Sequence, residues 1–221
     1  MGYYFITSSS DNPVTARPVL ETVLEALRGG AKVIQYREKR LPYREMLPIA
    51  LGIRALTRKY NAMFIVNDHL DIAIAADVDG VHVGQSDISY WMARAMLGPN
   101  KIIGVSASDL MQAEYAIRSG ADYISLSPIL PTSTKIGGNR KPCGLETLEV
   151  MRSRMDFGDI PRVPIVAIGG IDRQNYKEVI RVGADWVCSI HDVLGHNNIA
   201  AKTQSLIAGS DAAAKKRIIY Y

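Results

Sequence analysis

Eight short β-branched runs, helix-period segments between them, and a near-identical tripeptide before several runs predict an α/β protein, a closed (β/α)8 TIM barrel. The runs are Tyr3–Thr7, Lys32–Tyr36, Met63–Val66, Gly80–Val83, Lys101–Val105, Tyr123–Leu126, Val163–Ile168 and Trp186–Ser189. They are apolar on both faces, as strands of a buried parallel sheet are. Helix-period segments lie at Pro18–Arg28, Arg44–Tyr60, Asp109–Ser119, Leu145–Met155 and Arg173–Val182. The tripeptides are Gly30-Ala31-Lys32, Gly120-Ala121-Asp122 and Gly183-Ala184-Asp185, with Asp77-Val78-Asp79-Gly80 in a similar part. A glycine past a helix end takes the left-handed cap, so the next strand starts at once. Eight units in about 210 residues leave about 26 residues each, which suits a compact barrel; a doubly wound open sheet is the competitor, because local pattern does not show closure.

Of the 221 residues 48% are hydrophobic and 22% charged, which excludes disorder for most of the chain. One domain over 1–209 is expected, followed by a basic tail at 210–221 (SDAAAKKRIIYY) that either packs on a neighbouring subunit or, as termini more commonly do, frays. No run approaches the roughly 20 apolar residues of a membrane span, and Met1–Ser10 lacks the features of a secretory signal. A cytoplasmic location is therefore expected. Cys143 and Cys188 make no disulfide framework and belong to no zinc-ligand spacing. The net charge of +4 favours anionic small molecules, while the scattered Lys and Arg residues argue against nucleic acid. No membrane partner is expected, and an apolar helix face on so small a barrel makes a homodimer unsurprising.

A barrel carries its functional groups at the C-terminal ends of its strands. The second strand leads into Gln35-Tyr36-Arg37-Glu38-Lys39, which we take as a substrate-binding segment. Alternation sends Gln35, Arg37 and Lys39 to one side and Tyr36 and Glu38 to the other, and two cations in a barrel mouth suit a diphosphate. Asp68 and Asp87 end neighbouring strands. Either Asp alone serves equally as a helix N-cap, but two carboxylates on adjacent strands beside Lys and Arg favour Mg²⁺. Ser106 ends the fifth strand. Thr132-Ser133-Thr134-Lys135, in the long connection Ser127–Gly144, supplies hydroxyls and a cation for a phosphate, with an ordinary polar loop as the bland reading. Gly169-Gly170 closes the seventh strand and opens a helix at Asp172, an arrangement that attracts an anion or makes a simple tight turn. Ser189-Ile190-His191 follows the eighth.

Six motifs in this order resemble the thiamine phosphate synthase family: QYREK at Gln35–Lys39, NDHLDIA at Asn67–Ala73, DGVHVGQSD at Asp79–Asp87, GVSAS at Gly104–Ser108, DYISLSPILPTSTK at Asp122–Lys135 and PIVAIGGI at Pro164–Ile171. The resemblance implies a (β/α)8 enzyme that joins hydroxymethylpyrimidine diphosphate to thiazole phosphate with release of pyrophosphate. It implies that Gln35, Arg37, Lys39, Asn67, Ser106 and Lys135 hold the pyrimidine diphosphate and that Asp68 and Asp87 bind Mg²⁺. Lys39, Lys135 and Ser106 are the catalytic candidates. Thr132, Thr134, Gly170 and the loop after the eighth strand, with Ile190 and His191, hold the thiazole phosphate. Three positions depart from the family pattern: His191 stands at an expected serine, Ser8 at a common Asp, and Ser127 at a common Gly. A thiazole tautomerase-like isomerase is the nearest alternative, although Ser108 stands where its histidine is required. A phosphosugar isomerase or epimerase and a non-catalytic phosphate-ligand-binding barrel are further alternatives.

Overall fold

A computed structural model describes residues 2–10, 14–132 and 141–217. Eight parallel strands form a closed barrel in sequence order: β1 (Gly2–Ile6), β2 (Val33–Tyr36), β3 (Met63–Asn67), β4 (Gly80–Val83), β5 (Ile102–Ala107), β6 (Tyr123–Leu126), β7 (Ile165–Ile168) and β8 (Trp186–Cys188). The pairs Gly2↔Trp186 and Tyr3↔Val187 join β8 to β1 and so exclude the open sheet. Around it lie α1 (Val19–Arg28), α2 (Tyr43–Lys59), α3 (Leu70–Ala75), α4 (Tyr90–Leu97), α5 (Leu110–Arg118), α6 (Gly144–Asp156) and α7 (Tyr176–Val182), then the short α8 (Ile190–Leu194) and the long α9 (Ile199–Ala214).

Period-two alternation divides the core into two layers. Tyr3, Phe5, Ile34, Tyr36, Phe64, Val81 and Ile124 face outward against the helices. Tyr4, Ile6, Val33, Ile65, Tyr123, Val166 and Cys188 fill the barrel itself. Gly104 on β5 makes this interior possible. The Cζ of Tyr123 lies 2.0 Å from where a Cβ on Gly104 would stand, so the ring needs a residue without a side chain there.

At the base of the barrel the repeated tripeptide has a use that its sequence did not disclose. Asp79 accepts hydrogen bonds from the Phe64 N–H (2.7 Å) and from Arg54 of α2 (2.8 Å). Asp122 does the same with the Ile103 N–H (2.7 Å) and Arg94 of α4 (2.6 Å). Asp185 repeats it with the Ile165 N–H (2.9 Å) and the fully buried Arg152 of α6. Each of these aspartates also donates its own N–H to the carbonyl of the same strand residue, at 2.9 Å in all three cases. The fourth, sixth and eighth units are thus each clamped by one carboxylate to a helix and a strand. Lys32 stands at the corresponding place before β2, where the pattern has no acid.

The expected boundary after residue 209 falls inside α9. Ser210 and Ala213 are buried, and the Arg217 guanidinium bonds to the Ile180 and Ala184 carbonyls and to Asp185. The alanines of 212–214 extend the helix and the basic residue beyond them reaches the third clamp, so 210–217 belongs to the barrel shell. Residues 218–221 of the expected tail lie outside the described residues. Among the described residues no helix is long and apolar enough to cross a membrane.

Candidate active site

A cavity of about 600 Å³ opens at the C-terminal ends of the strands. All eight strands or the loops that follow them contribute to its wall, among them Gln35, Arg37, Asn67, Ser106, Thr132, Gly169, Gly170, Ile190 and His191 from the sequence-based candidates.

The floor is a buried polar chain. Gln35 donates to the Tyr4 hydroxyl (2.9 Å), which lies 2.7 Å from the Tyr123 hydroxyl. Tyr123 is 2.9 Å from His82 Nδ1, and His82 Nε2 is 2.8 Å from Ser106 Oγ, with Ser125 Oγ beside both. The His82 ring stacks on Tyr123 at 5.4 Å between centroids. Burial pushes both phenols above their usual range, so each stays a hydroxyl with one proton to give. One ordering then serves the chain: Gln35 to Tyr4, Tyr4 to Tyr123, Tyr123 to His82 Nδ1, and His82 Nε2–H to Ser106. In that ordering Ser106 accepts from below and presents its own proton to the cavity. Tyr4, His82, Tyr123 and Ser125 were not among the sequence candidates. The signal was there, since His82 interrupts the apolar run Gly80-Val81-His82-Val83 at an inward position.

Arg37 and Lys39 rise from β2 beside the β1–α1 loop. The Arg37 N–H donates to Thr7 Oγ1 (3.0 Å), whose hydroxyl donates back to the Arg37 carbonyl (3.2 Å). Lys39 forms an ion pair with Asp68. Two members of the segment are corrected by the structure. Tyr36 is buried on the helix side of the sheet, where alternation places it, and does not face the cavity. Glu38 is buried too, and its carboxylate accepts from Ser9 and Ser10 hydroxyls and from the N–H groups of Ser10, Lys39, Arg40 and Leu41. Burial alone would raise this carboxyl, but the bonds from Ser10, Arg40 and Lys39 outweigh it and hold the group down at about 2. Glu38 therefore braces two loops where a substrate contact was expected.

Asp68 and Asp87 sit at the rim. Asp68 follows the wall residue Asn67, and the Gly84–Asp87 turn is held beside Ser106 by Gln85, which donates to the Ser106 carbonyl (2.7 Å). Neither Asp caps a helix: α3 starts after His69, and Ser89 caps α4 by accepting from Met92 N–H at 3.3 Å. Asp87 instead accepts from the Gly84 N–H (2.8 Å). Asp68 has φ 63°, a left-handed conformation that Asp tolerates better than most residues. Burial pushes its carboxyl up; the Lys39 ammonium opposes this and the Asp87 carboxylate adds to the rise. Two like charges held together are what a divalent cation relieves, and Mg²⁺ needs only one or two carboxylates when water and phosphate oxygens complete its shell. Among the described residues there is no cluster of three or more His, Cys, Asp or Glu. The donor set fits Mg²⁺ better than an all-protein metal cage.

The opposite wall is built on Gly169 and Gly170, with φ 96° and 67°. A Cβ on either would meet backbone, Pro128 Cα at 2.8 Å and the Pro131 carbonyl oxygen at 2.6 Å, so the pair lets the β6–α6 connection lie directly on β7. Helix α7 starts at Tyr176, four residues later than expected, and the Asp172 carboxylate accepts from the Gln174 and Asn175 N–H groups (2.7 and 3.2 Å). The helix terminus is therefore set back from the glycine pair, which lines the cavity wall together with Thr132. Ser133, Thr134 and Lys135 lie outside the described residues. Beyond β8, Ile190 and His191 begin α8 on the wall, and Ser189 Oγ donates to the Ile171 carbonyl (2.6 Å), fastening β8 to the β7 loop.

A family profile described as thiamine monophosphate synthase matches residues 3–193. The thiamine-phosphate synthase of Moorella thermoacetica is 46% identical over 190 residues, 86% of this chain and 87% of that protein. That of Alkaliphilus oremlandii is 41% identical over 207 residues, 94% of each chain. The solved structure of thiamine phosphate pyrophosphorylase from Pyrococcus furiosus superposes with a TM-score of 0.83 at 35% identity, covering 96% of both chains. With the barrel, its cavity and these relatives in agreement, the chain belongs to the thiamine monophosphate synthase family.

Proposed function

We propose that this cavity joins hydroxymethylpyrimidine diphosphate to thiazole phosphate, forming thiamine phosphate and releasing pyrophosphate. Membership of the family makes the chain a transferase of thiamine biosynthesis. The observation that carries the detailed reading is the division of one cavity into two unlike ends. Arg37 lines the β2 side, with the Lys39–Asp68 pair and Asp87 just beyond that wall, and a glycine-backed wall with Thr132 and His191 stands on the β7–β8 side.

In this reading Gln35, Asn67 and Ser106 orient the pyrimidine over the floor, and Arg37 and Lys39 neutralise its diphosphate. Lys135, whose role rests on the motif resemblance, adds a third cation. Asp68 and Asp87 hold Mg²⁺, which supplies Lewis-acid neutralisation of the leaving pyrophosphate. The carbon–oxygen bond breaks, pyrophosphate departs with the electron pair, and the aminopyrimidine shares the positive charge left on the methylene. The thiazole nitrogen, held over that carbon by phosphate contacts at Thr132, Thr134, Gly169–Gly170 and Ile190–His191, closes the new bond with its lone pair. No side-chain nucleophile is needed. The tautomerase reading needs a histidine at position 108, where Ser108 instead bonds to Gln112 (3.0 Å). We expect the protein to work in the cytoplasm, as a homodimer, with Mg²⁺ as its cofactor.

Incubation with both substrates, with and without Mg²⁺, tests this directly. Pyrophosphate and thiamine phosphate should appear in equal amounts and only with the ion. Equal turnover after exhaustive chelation overturns the Mg²⁺ assignment, and absence of product with bound substrates overturns the reaction.

A further inference from the structure

The β7–β8 end of the cavity has two carboxylates in its wall, Asp172 and Asp192, where the proposed reaction places a phosphate. Asp172 is satisfied locally, since it accepts from the Gln174 and Asn175 N–H groups. Asp192 has a distant partner. Its Oδ2 is shielded from solvent and lies 2.9 Å from Nζ of Lys202, and the two side chains are only 20% and 14% exposed. Lys202 belongs to α9 and does not line the cavity, so its ammonium meets the carboxylate from behind the wall.

Nothing in α9 itself calls for a cation at this place. Lys202 is the fourth residue of the helix, at the end of its first turn, where the helix dipole favours an acid. Withdrawing an ammonium from water adds a further cost that only a partner offsets. Nor is the pair needed to start α8. The Tyr3 hydroxyl already donates to the Ser189 carbonyl (3.0 Å), and Ser189 Oγ donates to the Ile171 carbonyl.

We infer that Lys202 is a positioning residue for the phosphate end: by holding and neutralising Asp192, it lets an anion bind beside that carboxylate. The inference rests on the reading of this end as the thiazole phosphate site. A bare Asp192 would repel a phosphate of like sign, and a partly buried site screens such repulsion poorly.

Calorimetric titration with thiazole phosphate reads the effect, with hydroxymethylpyrimidine diphosphate as the control ligand. His191, beside Asp192 on the wall, stays in place throughout, so only the Asp192 and Lys202 charges vary. Lys202→Met keeps the apolar stem and removes the charge. It should weaken thiazole phosphate binding about tenfold or more and leave the diphosphate, held at the other end, unaltered. Lys202→Arg should bind within about threefold of the parent. The double variant Lys202→Met with Asp192→Asn separates charge from scaffolding, because it lacks the ion pair but also lacks the bare carboxylate. It should recover binding to within about threefold of the parent. A double variant as weak as Lys202→Met, both ligands weakened alike, or Lys202→Met binding as the parent does, overturns the inference. Product formation by the parent reports on the reaction separately. A parent that binds thiazole phosphate but forms no thiamine phosphate refutes the reaction and leaves the charge test standing. One that binds no thiazole phosphate overturns the reading of this end and the inference with it.

Discussion

The two ends of this barrel use the same residue type in opposite ways. At the base Asp79, Asp122 and Asp185 each meet a strand N–H and an arginine, and the charges cancel where they stand. At the mouth Asp68 and Asp87 face each other, with Lys39 on one side and a backbone bent to positive φ. The base has satisfied its carboxylates; the mouth has left work for a ligand to do. Stability and function are thereby separated along the barrel axis, and substitutions at the two ends should fail in different ways.

The largest effect is expected at the base. Asp185→Ala leaves the buried Arg152 guanidinium without its counter-charge and releases Arg217, and breaking a buried pair in this way costs about 3–5 kcal/mol. Urea unfolding should show that loss, while KM in the folded fraction stays at the parent value. Asp68→Asn should do the reverse. Asn accepts the positive φ, one of two repelling charges is gone, and stability should hold within about 0.5 kcal/mol. Turnover should fall roughly 10²–10³-fold, the range for loss of one preorganised electrostatic partner. If Asp68→Asn unfolds the protein, or Asp185→Ala abolishes turnover without loss of stability, the division between the ends is wrong.

Much of this division could be read from the chain. Strand order, the candidate wall residues and the glycine pair follow from alternation and from where a barrel keeps its polar groups. The clamps could not, because Asp122 and Arg94 are 28 residues apart and nothing local links them. The same blindness hid the floor: Tyr4, His82 and Tyr123 come from three strands and meet only when the barrel closes. Tyr36 shows the opposite failing, since alternation already assigned it to the helix side while the motif carried it into the site. Gly169-Gly170 marks the end of β7 but not the start of the next helix, because the Asp172 side chain first closes a turn on Gln174 and Asn175.

Glu38 joins the two behaviours, a fully hydrogen-bonded carboxylate placed at the mouth. Glu38→Gln keeps the shape but turns an amide toward the Ser10 N–H, and should cost roughly 2–3 kcal/mol, as for lost hydrogen bonds to a charged group. Because Arg37 and Lys39 flank it, KM for the diphosphate should rise more than kcat falls. The pH dependence gives a second reading. Its folded value of about 2 lies below that of an unfolded glutamate near 4.3, so its contribution is complete above about pH 4.3 and is lost as pH falls toward 2. Acid unfolding of the Gln variant should lack this component. An identical acid profile in both proteins would remove the brace.

The smallest effect is expected inside the floor, where the comparison is most delicate, because Tyr123 serves packing and site together. Tyr123→Phe keeps the ring over Gly104 but removes the hydroxyl between Tyr4 (2.7 Å) and His82 Nδ1 (2.9 Å). Stability should fall by about 1 kcal/mol. Without that donor His82 is no longer confined to the tautomer that gives its Nε2 proton to Ser106, and turnover should fall several-fold. Tyr4→Phe removes the next hydroxyl away and leaves the Tyr123–His82 contact in place, so it should match the stability loss with less effect on turnover. Equal turnover in the two variants would mean that the chain of hydroxyls only fills the barrel. A graded loss, larger at Tyr123, would mean that the interior of the barrel orients the group it presents to the substrate.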